Sequence, residues 1–257
     1  MPEGGLVSEY PVLDPAHPIP ALGHLCALAV MAKAPRAGKV KTRLSPPLSL
    51  EQTATLNIQF LRDTAENIAT VTGGAGLISY TPVGDEALFD GLLPETFALV
   101  PQRGDAFGER LLAAAEDILA IGYGAVCLID SDSPTVPTAV YEQAVEALLA
   151  PGDRVVLGPS DDGGYYLIGL KQAHREPFDR ITWSTEHVLE ETLLRCAETR
   201  LEVVLLPTWY DVDDAATLAL LKSELLDRVA PEFAEMKGYE APYTREFLAA
   251  MMAVQTT

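Results

Sequence analysis

Short apolar runs alternate with amphipathic stretches along this chain, and that alternation leaves few architectures open to it. Runs of strand length fall at residues 25–31, 77–80, 97–101, 125–129, 154–157, 166–170 and 201–206. Residues 50–69, 106–120, 138–149, 185–198 and 214–225 lie between or after them and predict helices. In residues 106–120 the apolar positions Leu111, Leu112, Ala115, Ile118 and Leu119 follow helical spacing. Ser49 and Gln52 form a capping-box pattern at the start of the first helix. Residues 125–129 are apolar throughout, as a strand covered on both faces requires. Strands alternating with helices imply an α/β fold, with a mostly parallel sheet flanked by helices. In open sheets of this kind ligands bind at the carboxyl ends of the strands. Chemistry is therefore expected just after Ala32, Gln102, Ile129, Pro159 and Pro207.

The main domain is expected over residues 25–226. Residues 1–24 carry Pro2, Pro11, Pro15, Pro18 and Pro20 and read as an irregular arm. Residues 227–257 read as one or two appended helices, with breaks at Pro231, Gly238 and Pro242. The composition, 48 % hydrophobic over 257 residues, supports a sizeable core and excludes a disordered chain. A net charge of −19 repels nucleic acid and anionic membrane surfaces, so neither is expected as a partner. Lys33 is the first Lys or Arg, and the apolar run before it is too short to span a bilayer. A soluble cytoplasmic protein is the expectation. Cys26, Cys127 and Cys196 have no metal-ligand spacing, and Cys26 and Cys127 read as small core residues.

On so acidic a chain, any bound phosphate must meet a local concentration of cations. Residues 33–43 supply one: Lys33, Arg36, Lys39, Lys41 and Arg43 make five of eleven residues cationic, directly after the first strand. Such donors suit phosphate oxygens, and Gly38 lets the backbone approach closely. The loop is neither a P-loop, since Val40 replaces the Ser/Thr, nor a GxGxxG turn. Asp130 and Asp132, just past the strand at 125–129, can hold a divalent cation that bridges phosphate oxygens. Asp213 lies in a later acidic run, 211–214, and must converge on Asp132 to share that ion; Asp213 or Asp214 can alternatively cap a helix. The segment around Asp161, Asp162, Gly163, Gly164 and Tyr165 offers room beside the backbone and an acid pair able to orient an acceptor hydroxyl or act as general base. Arg103 follows a strand and can reach a base or phosphate. Glu109 and Arg110 read as a surface pair, Trp183 and Trp209 as core wedges, and His17, His24, His174 and His187 as structural.

Taken together, the motifs resemble a bacterial GT-A glycosyltransferase-like family, long treated as a domain of unknown function, within the nucleotide-diphospho-sugar transferase superfamily. The stretches that carry the resemblance are MAKAPRAGKVKTRL at 31–44, QRGDAFGERL at 102–111, LIDSDSP at 128–134, GPSDDGGYYLIGL at 158–170, ITWST at 181–185 and DVDD at 211–214. They occur in the family's order and span roughly residues 25–220. The superfamily also holds guanylyltransferases of molybdenum-cofactor and deazaflavin-cofactor synthesis. The resemblance implies a GT-A, Rossmann-like sheet and a first loop, Lys33 to Arg43, that holds nucleotide phosphates. It further implies a Mg2+ or Mn2+ site on Asp132 and Asp213, and an acceptor pocket lined by the loop at Asp162. Where the family commonly has glycine this chain has Asp130, so the match rests on Asp132.

The leading expectation is a metal-dependent transferase with a nucleotide sugar or nucleoside triphosphate as donor and a small molecule as acceptor. Glycosyl and nucleotidyl transfer both remain open. The dense cation loop favours a triphosphate and the family resemblance favours a sugar donor. A haloacid-dehalogenase-like phosphatase with Asp130 as nucleophile, and a non-catalytic nucleotide-binding module, are the remote alternatives.

Overall fold

The structure, a computed structural model, describes residues 8–255. The first seven residues of the expected arm and the last two of the C-terminal segment lie outside the described residues.

Seven strands form one sheet: β1 Cys26–Lys33, β2 Gly74–Thr81, β3 Ala98–Pro101, β4 Ala125–Ile129, β5 Arg154–Pro159, β6 Tyr165–Leu170 and β7 Glu202–Leu205. Their spatial order is β3-β2-β1-β4-β6-β5-β7. All neighbours pair in parallel except β6, which runs antiparallel to both β4 and β5. The chain thus builds outward from β1 to β3 on one side, then returns to lay β4 on the other side of β1. Diverging connections leave a crevice at the carboxyl ends of β1 and β4, the switch point where open α/β sheets bind ligands.

Among the described residues six α-helices accompany the sheet: α1 Leu50–Ala69, α2 Phe107–Ile121, α3 Thr138–Leu149, α4 Val188–Thr199, α5 Ala215–Lys222 and α6 Pro242–Gln255. The Ser49–Gln52 capping box is present on α1, with both reciprocal hydrogen bonds made. Asp214 caps α5, its Oδ1 accepting from Ala216 N and Thr217 N at 2.9 Å each. Two hydrophobic layers sandwich the sheet. Leu28, Val30, Cys127 and Ile129 face α1 and α3, while Ala27, Ala29, Val126 and Leu128 face α2. Alternate residues of β1 and β4 thus feed opposite layers, which is why their sequence is continuously apolar. All three cysteines are free and buried.

The described part of the arm is tied down. Val12 bridges Leu99 beside β3, and the Tyr10 hydroxyl donates to Leu93 O at 2.7 Å. At the other end, α5 runs into a π turn, Ser223–Asp227, and a single further helix, α6, packs on α1. Asp63, buried in α1, accepts from Tyr243 N at 3.0 Å and Thr244 N at 2.7 Å and so caps α6. Pro242 opens α6, where its missing N–H costs nothing.

Candidate active site

The loop after β1 is pinned by two apolar side chains, Val40 (7 % exposed) and Leu44 (0 %). Gly38 has φ +72 and Lys41 has φ +50. A lysine in the left-handed region costs about 1 kcal/mol, and it is held there by what its side chain reaches. Its ammonium lies 2.9 Å from Asp132 Oδ2, 3.0 Å from Asp213 Oδ1 and 2.6 Å from Val212 O. The side chain is only 4 % exposed. Burial pulls Lys41 towards neutrality, but Asp132 and Asp213 outweigh it and hold its pKa above the ordinary lysine value. Residues from three distant parts of the chain, the β1 loop, the turn after β4 and the segment before α5, therefore meet at one nitrogen.

A cleft of about 320 Å³ opens over this point, lined in part by Lys33, Lys39, Lys41, Arg43, Asp132 and Asp213. Asn57, on α1, also lines it; Asn57 is 3 % exposed, and its Oδ1 has no hydrogen-bond partner among the described residues. A second cleft of about 560 Å³ adjoins the first and shares Met31, Arg43 and Asp213 with it. Its polar lining includes Asp130, Asp162 and Asp211, and its aromatic wall is Phe107, Tyr165 and Trp183. Phe107 meets Trp183 edge-on with ring centroids 5.1 Å apart, and Tyr165 meets it at 6.5 Å.

Most of the residues singled out in the sequence gather around these two clefts. Lys33, Lys39, Lys41, Arg43, Asp132 and Asp213 line the first, and Asp162, Gly164, Tyr165 and Asp130 the second. Five others do not line them, Gly38 of the β1 loop among them. Arg36 is engaged by Asp85, with Nε 2.8 Å and Nη2 2.5 Å from its carboxylate. Arg103 is held by Asp117 at 2.8 Å and Glu116 at 2.7 Å, on α2. Asp161 is exposed, and its backbone N–H donates to Trp209 O at 3.0 Å. Gly163 packs against the Glu186 backbone. Asp130 is separated from the Lys41 centre: its carboxyl accepts from Ser133 Oγ at 2.8 Å and from Asp132 N at 3.2 Å, so it braces the turn that carries Asp132. Burial, then Asp132 and Asp211, push its pKa well up.

Two expectations are corrected, on the tryptophans and on Glu109 with Arg110, and one alternative, a helix cap at Asp213 or Asp214, is decided. Trp183 is a cleft wall rather than a core wedge, whereas Trp209 is core, 1 % exposed and donating to Thr135 Oγ1 at 3.0 Å. Glu109 and Arg110 do not pair; Glu109 accepts from Asp105 N and Ala106 N at the head of α2, and Arg110 donates to Asp105 O. Asp214 is a helix cap, which leaves Asp213 alone to meet Asp132. Asp211 was missed as a site residue; it lies in an irregular segment between β7 and α5, whose path into the larger cleft has no local signature. Burial first, then repulsion from Asp213 and Asp162 and partly offset by Lys41, lifts the Asp211 pKa to about 6. Asn57 gave no signal, being one polar residue on a core-facing helix position.

Gly163 shows why this loop needs glycine. Its φ is +92, and a Cβ there would stand 2.2 Å from Glu186 O. Gly163 O accepts from Leu189 N at 2.9 Å, locking the β5–β6 turn to the head of α4. Gly163→Ala is expected to cost about 2 kcal/mol of stability and to displace the 183–186 side of the larger cleft. Urea denaturation measures the first effect and the fluorescence of Trp183 the second.

Residues 64–185 match the family described as "Uncharacterized protein conserved in bacteria (DUF2064)". That family is the one the motifs resemble. Among solved structures, a protein from Desulfovibrio desulfuricans G20, provisionally described as a nucleotide-diphospho-sugar transferase, is 29 % identical. The match covers 89 % of this chain and 95 % of that one, with a TM-score of 0.75. CMP:2-keto-3-deoxy-manno-octonic acid synthetase, in complex with CTP, is 10 % identical over 80 % of this chain and 100 % of its own, with a TM-score of 0.50. A cytidylyltransferase from Leptospira borgpetersenii serovar Hardjo-bovis (strain JB197) is 12 % identical over 91 % and 96 %, also at 0.50. The last two establish shared fold alone. No curated protein matches the chain. The fold is the Rossmann-like one of nucleotide-diphospho-sugar and nucleotidyl transferases. Among the described residues no helix is long and apolar enough to cross a membrane.

Proposed function

We propose that the protein is a metal-dependent transferase that binds a nucleotide sugar in the smaller cleft and transfers its glycosyl group to a small acceptor held in the larger one. The observation that carries this reading is the meeting of Asp132 and Asp213 at the Lys41 ammonium inside a cleft lined by further cations. The description of the Desulfovibrio protein as a nucleotide-diphospho-sugar transferase supports it.

The residues present fit a Mg2+ or Mn2+ ion of one particular kind. No group of three or more His, Cys, Asp or Glu side chains suited to a metal occurs among the described residues. The protein therefore offers two carboxylates, and phosphate oxygens and water must complete the shell, which is how Mg2+ is usually held. Asp132 and Asp213 would hold such an ion, and Lys41, which now bridges them, would have to share their charge with it. Once bound, the ion would neutralise charge on the departing diphosphate.

The protein's own groups do the remainder. Lys33, Lys39 and Arg43 are exposed at the cleft and supply donors to phosphate oxygens. The acceptor oxygen forms a bond to the anomeric carbon, the carbon–oxygen bond to the diphosphate breaks with its electron pair on the diphosphate, and the acceptor proton passes to a carboxylate such as Asp162. Most of the rate comes from placing charge where it develops.

The structure also weakens the case for a triphosphate. Of the five cations in the loop, Arg36 is taken by Asp85 and Lys41 by the carboxylate pair. Among the described residues Lys33 and Lys39 remain unpaired, and Arg43 is held only loosely, 3.8 Å from Asp213, which suits a diphosphate. Nucleotidyl transfer, of the kind cofactor guanylyltransferases perform, is the competing outcome. Incubation with nucleotide sugars, nucleoside triphosphates and an acceptor panel distinguishes them. Free nucleoside diphosphate is expected; pyrophosphate release would establish nucleotidyl transfer instead.

A further inference from the structure

The larger cleft has a charge pattern that restricts its occupant. Asp130, Asp162 and Asp211 line it, and none of the three forms an ion pair among the described residues. The one Arg or Lys in the lining is Arg43, whose Nη1 lies 3.8 Å from Asp213 Oδ2. The same cleft is lined by the mutually packed rings of Phe107, Tyr165 and Trp183. Hydroxyls are contributed by Ser184 and Thr185 at the exposed rim.

This lining accepts hydrogen bonds far more readily than it donates them. A phosphomonoester carries about −1.5 to −2 charges at neutral pH and presents acceptor oxygens. In this cleft it would face Asp162 and Asp211, since Asp130 is turned to Ser133 Oγ and Asp132 N, so its contacts would be acceptor against acceptor and charge against like charge. Hydroxyl groups and ammonium groups, by contrast, donate to carboxylates. An apolar ring face can rest on the aromatic wall, and an ammonium gains further from the ring faces.

We infer that the acceptor is an uncharged or amine-bearing polyhydroxylated molecule with one apolar face, attacking through a hydroxyl or amine, and that phosphorylated acceptors are turned away. The inference rests on reading the smaller cleft as the donor site. It also bears on the reaction, because a phosphate nucleophile is what a nucleotidyl transfer that builds a new diphosphate bond requires.

Trp183 reports on the cleft directly, while the other tryptophan, Trp209, is 1 % exposed. The full-length protein is titrated with matched sets, the phenyl β-glucoside, phenyl 2-amino-2-deoxy-β-glucoside and phenyl β-glucoside 6-phosphate, and the corresponding galactosides, with tryptophan emission as the readout. The neutral and amino members are expected to quench Trp183 and bind at least tenfold tighter than their phosphates. Trp183→Phe removes the quench, and Asp162→Asn combined with Asp211→Asn narrows the gap. Equal or tighter binding of the phosphates overturns the inference, as does failure of every neutral and amino member to bind. Calorimetry with nucleoside diphosphates runs alongside. If no nucleotide binds while the glycoside preference persists, the donor-site reading fails and the preference stands only as the binding selectivity of the larger cleft.

Discussion

Asp132→Asn is expected to remove metal-dependent nucleotide binding, lowering affinity by more than 100-fold in the presence of Mn2+. Loss of a residue that merely supports a metal ligand costs about 10–100-fold, and among the described residues Asp132 is one of two carboxylates that meet at Lys41. The substitution keeps the shape of the side chain. It also leaves Lys41 held by Asp213 and Val212 O, so the fold should be maintained. Mn2+-induced water relaxation, measured with and without nucleoside diphosphate, separates loss of the ion from loss of the nucleotide. Retention of the metal effect in Asp132→Asn would remove Asp132 from the site.

Lys41→Met is expected to destabilise the metal-free protein by about 2 kcal/mol and to make its stability respond to divalent cations. Removing one member of a fully buried ion pair costs about 3–5 kcal/mol. Asp132 and Asp213 are 31 % and 45 % exposed, so solvent offsets part of that. With the ammonium gone, two carboxylates confront each other across a gap lined by nothing cationic on that side chain, and a bound cation relieves the repulsion. Urea midpoints in EDTA and in Mn2+ should therefore differ more for Lys41→Met than for the wild type. Equal responses would mean that Lys41 and the cation do not occupy the same electrostatic niche.

How much of this was legible in the sequence depended on the range of the interactions. The strand Ala125–Ile129 and the helix Thr138–Leu149 lie where the apolar pattern put them, because burial on two faces or one leaves a local signature. The capping box did the same for α1. The head of α4 begins at Val188, later than Thr185, because Ser184 takes φ +64 and the preceding segment folds against the β5–β6 turn. That is a tertiary contact with no local mark. Reversal of β6 was equally silent, since a buried strand has the same apolar composition in either direction.

The site divides along the same line. Charge density identified residues 33–43, but which cations are free depends on partners far along the chain. Asp85 is 49 residues from Arg36, and Asp213 is 172 from Lys41. Arg103 is satisfied on its own following helix, a pairing that helix geometry could have exposed. Asp211 and Trp183 become visible only once β6, α4 and the 211–213 segment are assembled around one cavity.

The central claim is that the cation-lined cleft and the carboxylate pair form one site for a nucleotide diphosphate with its metal. Calorimetric titration of the wild-type protein with nucleoside diphosphates, in EDTA and then in Mn2+, tests it most directly. At least one nucleotide should bind tenfold or more tightly when Mn2+ is present; the same affinity in both buffers, or no binding of any nucleotide in either, would contradict it.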